Sequence, residues 1–413
     1  MMKREPELRA GSFFMCEDGM ADSVGRQHYW DALRAFLMLL GIPYHAAMVY
    51  DVRVIWDIQS PTGSPFLTLL AGALVTFRMP AFFIVAGFFA AMLLSRRPPA
   101  VWLRGRMIRL GLPFLTGLLL LAPLQVAVID LADAVKGVTS MTDVVARTTR
   151  DITHPGAHWI MHLWFLPALM IYSSLLAAFW HPLHRWQHGL ARLASASPWI
   201  LVVGTLVLAA LVVDLAVPLL AAMPGPLPDL LRHGVDPYLR YLPYFALGVV
   251  FFMHPTTKAS LVWKGGLTLP LLASASSLAA SMLRGRPELL LPHSVIDALA
   301  AVLMSLWLIG LAERYFTRAN SRIDALVDAS FTIYLFHHPL IFAFATAFLL
   351  VSWPPVIEFA LIATASFVLS YAIHQVLRRL PLGLLFFNGV VPSTGKPGDR
   401  VAASADRSNG TLR

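Results

Sequence analysis

The chain has 413 residues, of which 57% are hydrophobic and only 13% are charged, and its formal net charge at pH 7 is +9. Soluble domains do not sustain a mean hydropathy of +0.67 over this length, so the composition predicts a polytopic membrane protein. Cys16 is the only cysteine, which excludes a disulfide framework and a cysteine-based metal site. No segment has the pattern of a nucleic-acid-binding module.

The first 30 residues contain no apolar stretch followed by a small-residue cleavage site. They are therefore predicted to be a cytosolic extension and not a signal peptide. Beyond them, about ten apolar runs are long enough to cross about 30 Å of hydrocarbon as helices. Because only helices satisfy their own backbone within such runs, an all-α membrane domain is predicted over residues 31–380. The predicted spans are 33–50, 66–94, 107–129, 162–180, 199–222, 238–253, 265–283, 294–312, 331–351 and 356–377.

Lysine and arginine in the connecting segments predict the orientation of these spans. With a cytosolic N-terminus, the cytosolic segments hold 22 of the 32 basic residues and the opposite face holds 8, while Arg34 and Arg78 lie within spans. Both termini are therefore predicted to be cytosolic, and the positive net charge reflects topology more than binding of nucleic acid. The tail, residues 381–413, is cytosolic in this interpretation, and its polar composition beyond Phe387 predicts disorder.

The first span contains the stretch DALRAFLMLLGIPYH, residues 31–45. At about 100° per residue, His45 returns to within about 20° of the helical face of Arg34, about 16 Å further along, although Pro43 is expected to kink the helix. Snorkelling of Arg34 to the headgroups and burial of His45 in the core would explain the pair without a function. Ionisable groups inside a membrane otherwise indicate a functional site. Asp31 either orients Arg34 or caps the helix.

The second and third spans also carry arginines. FRMPAFFIVAGFF, residues 77–89, places Arg78 deep in the second span, where snorkelling is difficult, and about level with His45. RGRMIRLGLP, residues 104–113, places Arg106 and Arg109 on one helical face at the cytosolic start of the third span. Topology explains this charge, but a phosphorylated cytosolic ligand explains it equally well, because guanidinium groups prefer phosphate as a partner.

Two later segments bring imidazole and indole groups into the membrane domain. HLWFLP, residues 162–167, contains Trp164, and SFTIYLFHHP, residues 330–339, contains His337 and His338. Two adjacent histidines do not share a helical face, and no carboxylate is placed with them. A metal site formed by these residues with His162 is therefore not predicted.

Together these segments resemble the membrane acyltransferase-3 family. The resemblance rests on Arg34 and His45 with ten residues between them, FFIVAGFF in the second span, the pair Arg106 and Arg109 opening the third, and YLFH late in the chain. It covers residues 30–380. The segments AFLMLLGIPYH, HLWFLP, YLRYLPYFALGVVFFMHP and IYLFHHPL are most similar to the branch of that family that succinylates osmoregulated periplasmic glucans.

The resemblance implies an O-acyltransferase of the bacterial inner membrane that joins a cytosolic acyl-CoA to a periplasmic glucan. No permanently bound cofactor is expected, and succinyl-CoA or acetyl-CoA is the co-substrate. His45 is then the candidate general base, with His337 as a second candidate base or substrate ligand. Arg34, Arg106 and Arg109 are the candidates for holding the CoA phosphates.

The resemblance also suggests residues that bind the acyl group and the acceptor, namely Asp31, Trp164, His338 and Arg78. A buried guanidinium requires an anion. For Arg78 this is either Asp214 or the distal carboxylate of a succinyl group. Three alternatives to succinyl transfer remain open on the sequence. The first is acetylation of another surface polysaccharide, and the second is a structural role in a glucan-export complex. The third is a glycan transporter or flippase that uses Asp214 and Glu358 as a proton relay.

Overall fold

The computed structural model describes residues 28–154, 159–212, 219 and 236–390. Regular secondary structure within these ranges is helical. Residues 1–27 of the predicted N-terminal extension, the tail beyond residue 390 and Asp214 lie outside the described residues. The α-helices are α1 (His28–Leu39), α2 (Gly41–Met48), α3 (Pro65–Leu94), α4 (Pro99–Thr116), α5 (Ala122–Val135), α6 (Val144–Thr153), α7 (Phe165–Ala196), α8 (Pro198–Leu211), α9 (Asp236–Arg240), α10 (Leu242–Met253), α11 (Pro255–Leu261), α12 (Thr268–Leu283), α13 (Leu290–Tyr315), α14 (Ser321–Phe348), α15 (Pro355–Leu377) and α16 (Gly383–Asn388).

Six helical segments in the described part of the chain are long and apolar enough to cross a membrane. This confirms an all-α, multi-pass membrane protein, while the full set of about ten spans stays a prediction. Shorter apolar helices occupy three further predicted positions, over Pro198–Leu211, Tyr238–Met253 and Thr268–Leu283. The six long segments are Pro65–Leu94, Pro99–Val135, Met161–Leu183, Leu290–Tyr315, Ser321–Phe348 and Pro355–Leu377.

Helix α3 is the most buried of these segments and forms the centre of the bundle, where it packs against α1, α2, α10, α12 and α13. Glycines allow the closest of these contacts. A Cβ atom at Gly87 of α3 would collide with the carbonyl oxygen of Phe245, and one at Gly248 of α10 would collide with that of Ile84. Small residues that let helix backbones approach are a usual means of packing in membranes.

The predicted first span is broken into α1 and α2. Leu40 separates the two helices, and Gly41 begins the second. Pro43 lacks an N–H group, so it cannot donate to the carbonyl four residues earlier, at Leu39. The expected kink is therefore present, three residues before the proline. It places Gly41 where backbone instead of side chain faces the neighbouring helices.

The predicted third span is longer in the structure than residues 107–129. Helices α4 and α5 form one continuous helical rod, joined by a π-helical turn over Gly117–Leu121. A π-turn inserts an extra residue into a helix and is frequent at functional sites. Here it precedes Gln125, which is fully buried and reaches α14.

Candidate active site

A cavity of about 260 Å³ lies in the middle of the bundle, between α1, α2, α3, the start of α7, the α9–α10 junction and α14. Its wall combines apolar side chains with histidines, arginines and tyrosines. Few polar groups within an apolar wall are typical of a small-molecule site. The lining residues are Leu37, Met38, Tyr44, His45, Val75, Arg78, Met79, Phe82, His162, Trp164, Phe165, Arg240, Tyr241 and Tyr334.

Four histidine rings form a cluster beside this cavity. His45 lies 5.4 Å from His337 and 4.7 Å from His338, measured between ring centroids. His162 stacks on His338 at 4.4 Å and contacts His337 edge-on at 5.5 Å. Although adjacent residues of a helix do not share a face, the His337 and His338 rings have centroids only 6.2 Å apart. Both rings therefore reach His45, which lies between them.

The tautomer of His337 follows from its partner. Its Nδ1 lies 2.6 Å from the carbonyl oxygen of Tyr334. Because a carbonyl oxygen only accepts, Nδ1 carries the proton and Nε2 carries the lone pair. Nε2 is buried and has no hydrogen-bond partner among the described residues. His337 is thus oriented by the backbone and presents a basic nitrogen, as a general base requires.

His338 and His162 are fixed in a similar way. The Nδ1 of His338 lies 2.6 Å from the Oε1 of Gln125, whose own amide nitrogen donates to the carbonyl oxygen of Leu121 at 3.3 Å. His162 donates from Nε2 to the carbonyl oxygen of Leu335 at 3.3 Å, so its Nδ1 carries the lone pair. Held tautomers keep the cluster in a single arrangement.

The backbone immediately before His162 is strained. Met161 has a φ of 40°, a left-handed conformation that is uncommon for any residue other than glycine. Strain of this kind persists only where surrounding contacts hold it, and it concentrates at functional sites. One such contact is the hydroxyl of Tyr334, which donates to the carbonyl oxygen of His162. The strained turn therefore delivers His162 into the cluster.

Arg78 also lines the cavity and is buried, with 8% of its surface exposed. Its guanidinium lies over the ring of Tyr44 at 4.6 Å, which is a cation–π contact. A Cβ atom at Gly41 would lie 3.1 Å from both the Nη1 of Arg78 and the Nε2 of His337. Both nitrogens therefore lie beside this glycine, close to each other. The sequence analysis expected Arg78 and His45 at about the same depth in the membrane, and both residues line this cavity.

Trp164 lines the same cavity, as its predicted role in substrate binding requires. Its ring stacks on Tyr241 at 5.4 Å, and Tyr241 in turn stacks on Phe83 at 5.2 Å. This aromatic wall ends at Arg240, a second arginine of the cavity. Tyr241 and Arg240 were not singled out by the sequence analysis. The recurrence of tyrosine and arginine within YLRYLPY is the pattern that would have identified them.

Arg34, Arg106 and Arg109 come together at one end of the molecule, which we name the arginine end. Arg34 of α1 pairs with Asp31 at 3.4 Å, as one of the two interpretations of Asp31 expected. The positive charges of both Arg109 and Arg34 act on Arg106 of α4, so the three guanidinium groups lie within Coulombic range. Arg106 Nε is buried without a hydrogen-bond partner in the described structure. Like charges held together in this way favour a bound anion.

The arginine end adjoins the cavity. Leu37 and Met38, which line the cavity, follow Arg34 by three and four residues on α1. At about 1.5 Å of rise per residue, the base of the cavity is about 5 Å beyond Arg34 along the helix. The arginine end and the cavity are therefore neighbours along α1.

Comparison with known proteins assigns the family. The profile of a family described as "Acyltransferase domain" matches residues 27–375, which is most of the chain. The chain belongs to the acyltransferase domain family. Its described histidines, cavity and arginine end all lie within the matched residues. No solved structure matches the chain significantly.

Curated relatives in this family are similar over nearly their whole length. "Glucans biosynthesis protein C" of Salmonella gallinarum is 29% identical over 382 residues, covering 89% of this chain and 96% of that protein. The protein of the same name in Salmonella paratyphi A is 28% identical over 385 residues, with the same coverage. The chain is thus a membrane acyltransferase with full-length relatives.

Glu358, an ionisable residue of the membrane domain, lies outside the cavity wall. Glu358 is buried and accepts hydrogen bonds from the Tyr50 hydroxyl at 2.8 Å and from the Trp353 backbone N–H at 3.1 Å. It therefore joins the ends of α2 and α15.

Among the described residues, no group of three or more histidine, cysteine, aspartate or glutamate side chains has a geometry that fits a metal ion.

Proposed function

We propose that this protein transfers an acyl group, most favourably succinyl, from cytosolic acyl-CoA to hydroxyl groups of a periplasmic glucan. The observation that carries the proposal is a cavity bordered by a histidine cluster and by Arg78, and adjoining an end where three arginines converge. The names of the curated relatives support a glucan as acceptor. A membrane enzyme with this substrate pair belongs in the bacterial inner membrane, because its two substrates reach it from opposite faces.

The donor is held at the arginine end in this proposal. Arg34, Arg106 and Arg109 bind the CoA phosphates through charge-assisted hydrogen bonds. The pantetheine arm then passes Leu37 and Met38 into the cavity, where the thioester reaches the level of the histidines. The cluster of three positive charges supports this binding mode, since phosphate relieves their mutual repulsion.

His45 acts as the general base. It takes the proton of a sugar hydroxyl while that oxygen forms a bond to the thioester carbonyl carbon. The carbon–sulfur bond then breaks, and the protonated imidazole returns its proton to the departing CoA thiolate, so that no proton is gained or lost overall. His337, with its Nε2 lone pair and its Nδ1 proton held by Tyr334, is the second candidate for this step.

Arg78 selects the acyl group. Its guanidinium faces the cavity with an aromatic partner in Tyr44, its Nε has no hydrogen-bond partner in the described structure, and the described contacts include no carboxylate for it. The distal carboxylate of a succinyl group supplies the missing anion in a bidentate contact. Acetyl transfer lacks this carboxylate, and it is the outcome against which the assignment is tested.

The test uses purified protein reconstituted in lipid vesicles with succinyl-CoA and a glucan oligosaccharide. Release of free thiol, together with succinylated glucan detected by mass spectrometry, is expected only in the presence of both substrates. Thiol release without any modified glucan would contradict the proposal that a glucan is the acceptor. The absence of both, in protein shown to be folded, would contradict acyl transfer from CoA.

Arg106→Gln tests the donor site within the same assay. The variant is expected to require a succinyl-CoA concentration at least about tenfold higher, because a charge-assisted contact to phosphate contributes about 1.5–3 kcal/mol. Arg104→Gln is the matched control, since Arg104 is exposed on the same helix. If both variants raise the donor requirement equally, or if Arg106→Gln loses as much activity with a pantetheine thioester that lacks phosphates, Arg106 does not bind the CoA phosphates. Its charge would then serve only the topology of the protein.

A further inference from the structure

Trp56 covers the histidine cluster from the end of the molecule opposite the arginines. It belongs to the connecting segment 49–64, between α2 and α3. Its indole is stacked on the ring of His45, with centroids 5.7 Å apart and an interplanar angle of 19°. It also meets His338 edge-on at 5.6 Å and Phe342 at 5.1 Å. Trp56 thus touches the candidate base directly and remains partly exposed.

The segment that carries Trp56 is held rigidly. Asp51, which is fully buried, forms an ion pair with Arg284 at 3.1 Å and accepts the backbone N–H of Arg53 at 2.9 Å. The Arg53 guanidinium donates to the carbonyl oxygen of Ser281 at 2.8 Å. Both arginine contacts tie the segment to the end of α12 and the residue that follows it. A partly exposed tryptophan on a braced support is pre-organised for contact with a ligand, because little rotational freedom remains to be lost.

The segment around Trp56 carries several polar groups, while the ring itself also packs against the apolar cluster that contains Ile58 and Phe342. Its neighbours in the sequence RVIWDIQSPTGS include hydroxyl, amide and carboxylate groups, and Asp57 beside it is exposed. An aromatic face with hydrogen-bonding groups around it suits a sugar ring, whose two faces carry C–H groups while its rim carries hydroxyls. A purely lipid-facing segment would not carry this pattern.

We propose that Trp56 is the platform on which a sugar ring of the acceptor stacks, so that one of its hydroxyls is presented to His45. This inference rests on the proposed function, since it names the acceptor side of the same site. His45 covers part of the indole, so the sugar stacks on the part of the ring that His45, His338 and Phe342 leave open, and its hydroxyl reaches His45 past the edge of the indole. The acyl donor reaches the histidines from the other end and does not touch Trp56.

The experiment compares Trp56→Ala, Trp56→Phe and Trp353→Ala in the reconstituted transfer assay. Trp353 is the matched control, because it is half-exposed, lies at the same end of the molecule and contacts Phe348, away from the histidines. Trp56→Ala is expected to raise the KM for the glucan about tenfold and to leave the KM for succinyl-CoA unchanged. Trp56→Phe, which keeps an aromatic face, is expected to fall between wild type and Trp56→Ala.

Two readouts separate this inference from the proposed function. If wild type transfers succinyl to glucan but Trp56→Ala keeps the wild-type glucan KM, the platform is overturned and the acyltransfer stands. A rise in the KM of both substrates to the same extent would make Trp56 a packing residue and would also overturn the platform. Equilibrium binding of succinyl-CoA serves as the folding check, and the affinity of Trp56→Ala for it is expected to match that of wild type.

Discussion

At the residue scale, the chemistry depends on which nitrogen of each histidine carries a proton. In the described structure, the Nε2 of His337 and the Nδ1 atoms of His162 and His45 are buried without hydrogen-bond partners. A buried polar atom without a partner costs free energy, so these nitrogens are candidate acceptors for a proton donor such as a substrate hydroxyl.

Replacing His45 tests the base directly. His45→Ala is expected to lower the rate of succinyl transfer about 10²-fold or more, since that is the usual contribution of a general base, while acyl-CoA affinity stays near that of wild type. The measurement is transfer kinetics together with equilibrium binding of acyl-CoA. Wild-type turnover in His45→Ala, combined with a large loss in His337→Ala, would transfer the role to His337.

Replacing Arg78 tests the acyl group. Arg78→Gln is expected to weaken the use of succinyl-CoA by about tenfold to a hundredfold and to affect acetyl-CoA far less, because only succinyl has a distal carboxylate. Arg78→Lys is not expected to restore succinyl use, since an ammonium group does not reproduce the bidentate contact. Kinetics with both donors measure the difference.

An equal loss with succinyl-CoA and acetyl-CoA would contradict the role of Arg78 in selecting the acyl group. Rescue of Arg78→Gln by Asp214→Asn would do so as well, and it would indicate that the arginine pairs with a protein carboxylate. Asp214 lies outside the described residues, so this double variant is the direct test of that alternative.

At the element scale, glycines let helix backbones approach closely in the bundle that holds the cavity. Gly41 leaves room for Arg78 and His337 on one side of α2, and the glycines of α3 and α10 bring those helices into backbone contact. Serine hydroxyls add to this on the other side of α3, where Ser281 of α12 donates to the carbonyl oxygen of Leu69 at 2.9 Å. Such packing replaces the hydrophobic effect, which lipid does not supply between helices.

The α3–α10 contact makes a specific prediction for stability. Gly248→Ala is expected to destabilise the protein by about 1–3 kcal/mol, because the added methyl group meets the Ile84 carbonyl and the backbone has no room to yield. Gly204→Ala is the control, since a Cβ atom there has open space around it within α8. Thermal unfolding in detergent measures both variants. Equal melting temperatures for the two would contradict the close backbone approach of α3 and α10.

At the scale of the whole molecule, the proposed function requires that the two ends of the bundle face different compartments. The arginine end is formed by α1 and α4, and the segment with Trp56 closes the opposite end beside Glu358 and Tyr50. The excess of basic residues in one set of connections predicts that the arginine end is cytosolic. That orientation presents the arginines to CoA and Trp56 to the periplasm.

Cysteine labelling tests the orientation. In a Cys16→Ser background, which removes the only cysteine, Thr62→Cys is expected to react with a membrane-impermeant maleimide in intact cells. Ser408→Cys in the tail is expected to react only after the membrane is permeabilised. Mass shift on a gel reports each reaction. The reverse pattern would contradict cytosolic termini and, with them, the assignment of donor and acceptor ends.

The class of fold and the position of most long helices follow from the sequence, because the length and polarity of a membrane-spanning segment are local properties of the chain. The sequence also points to His45, His337, Arg78 and the arginines, since ionisable groups are rare in such segments. Which of these residues meet is visible only in the folded molecule. Gln125 and His338 are 213 positions apart, and His162 and Leu335 are 173 apart. Contacts at such separations depend on how helices pack, and no local pattern in the sequence encodes that packing.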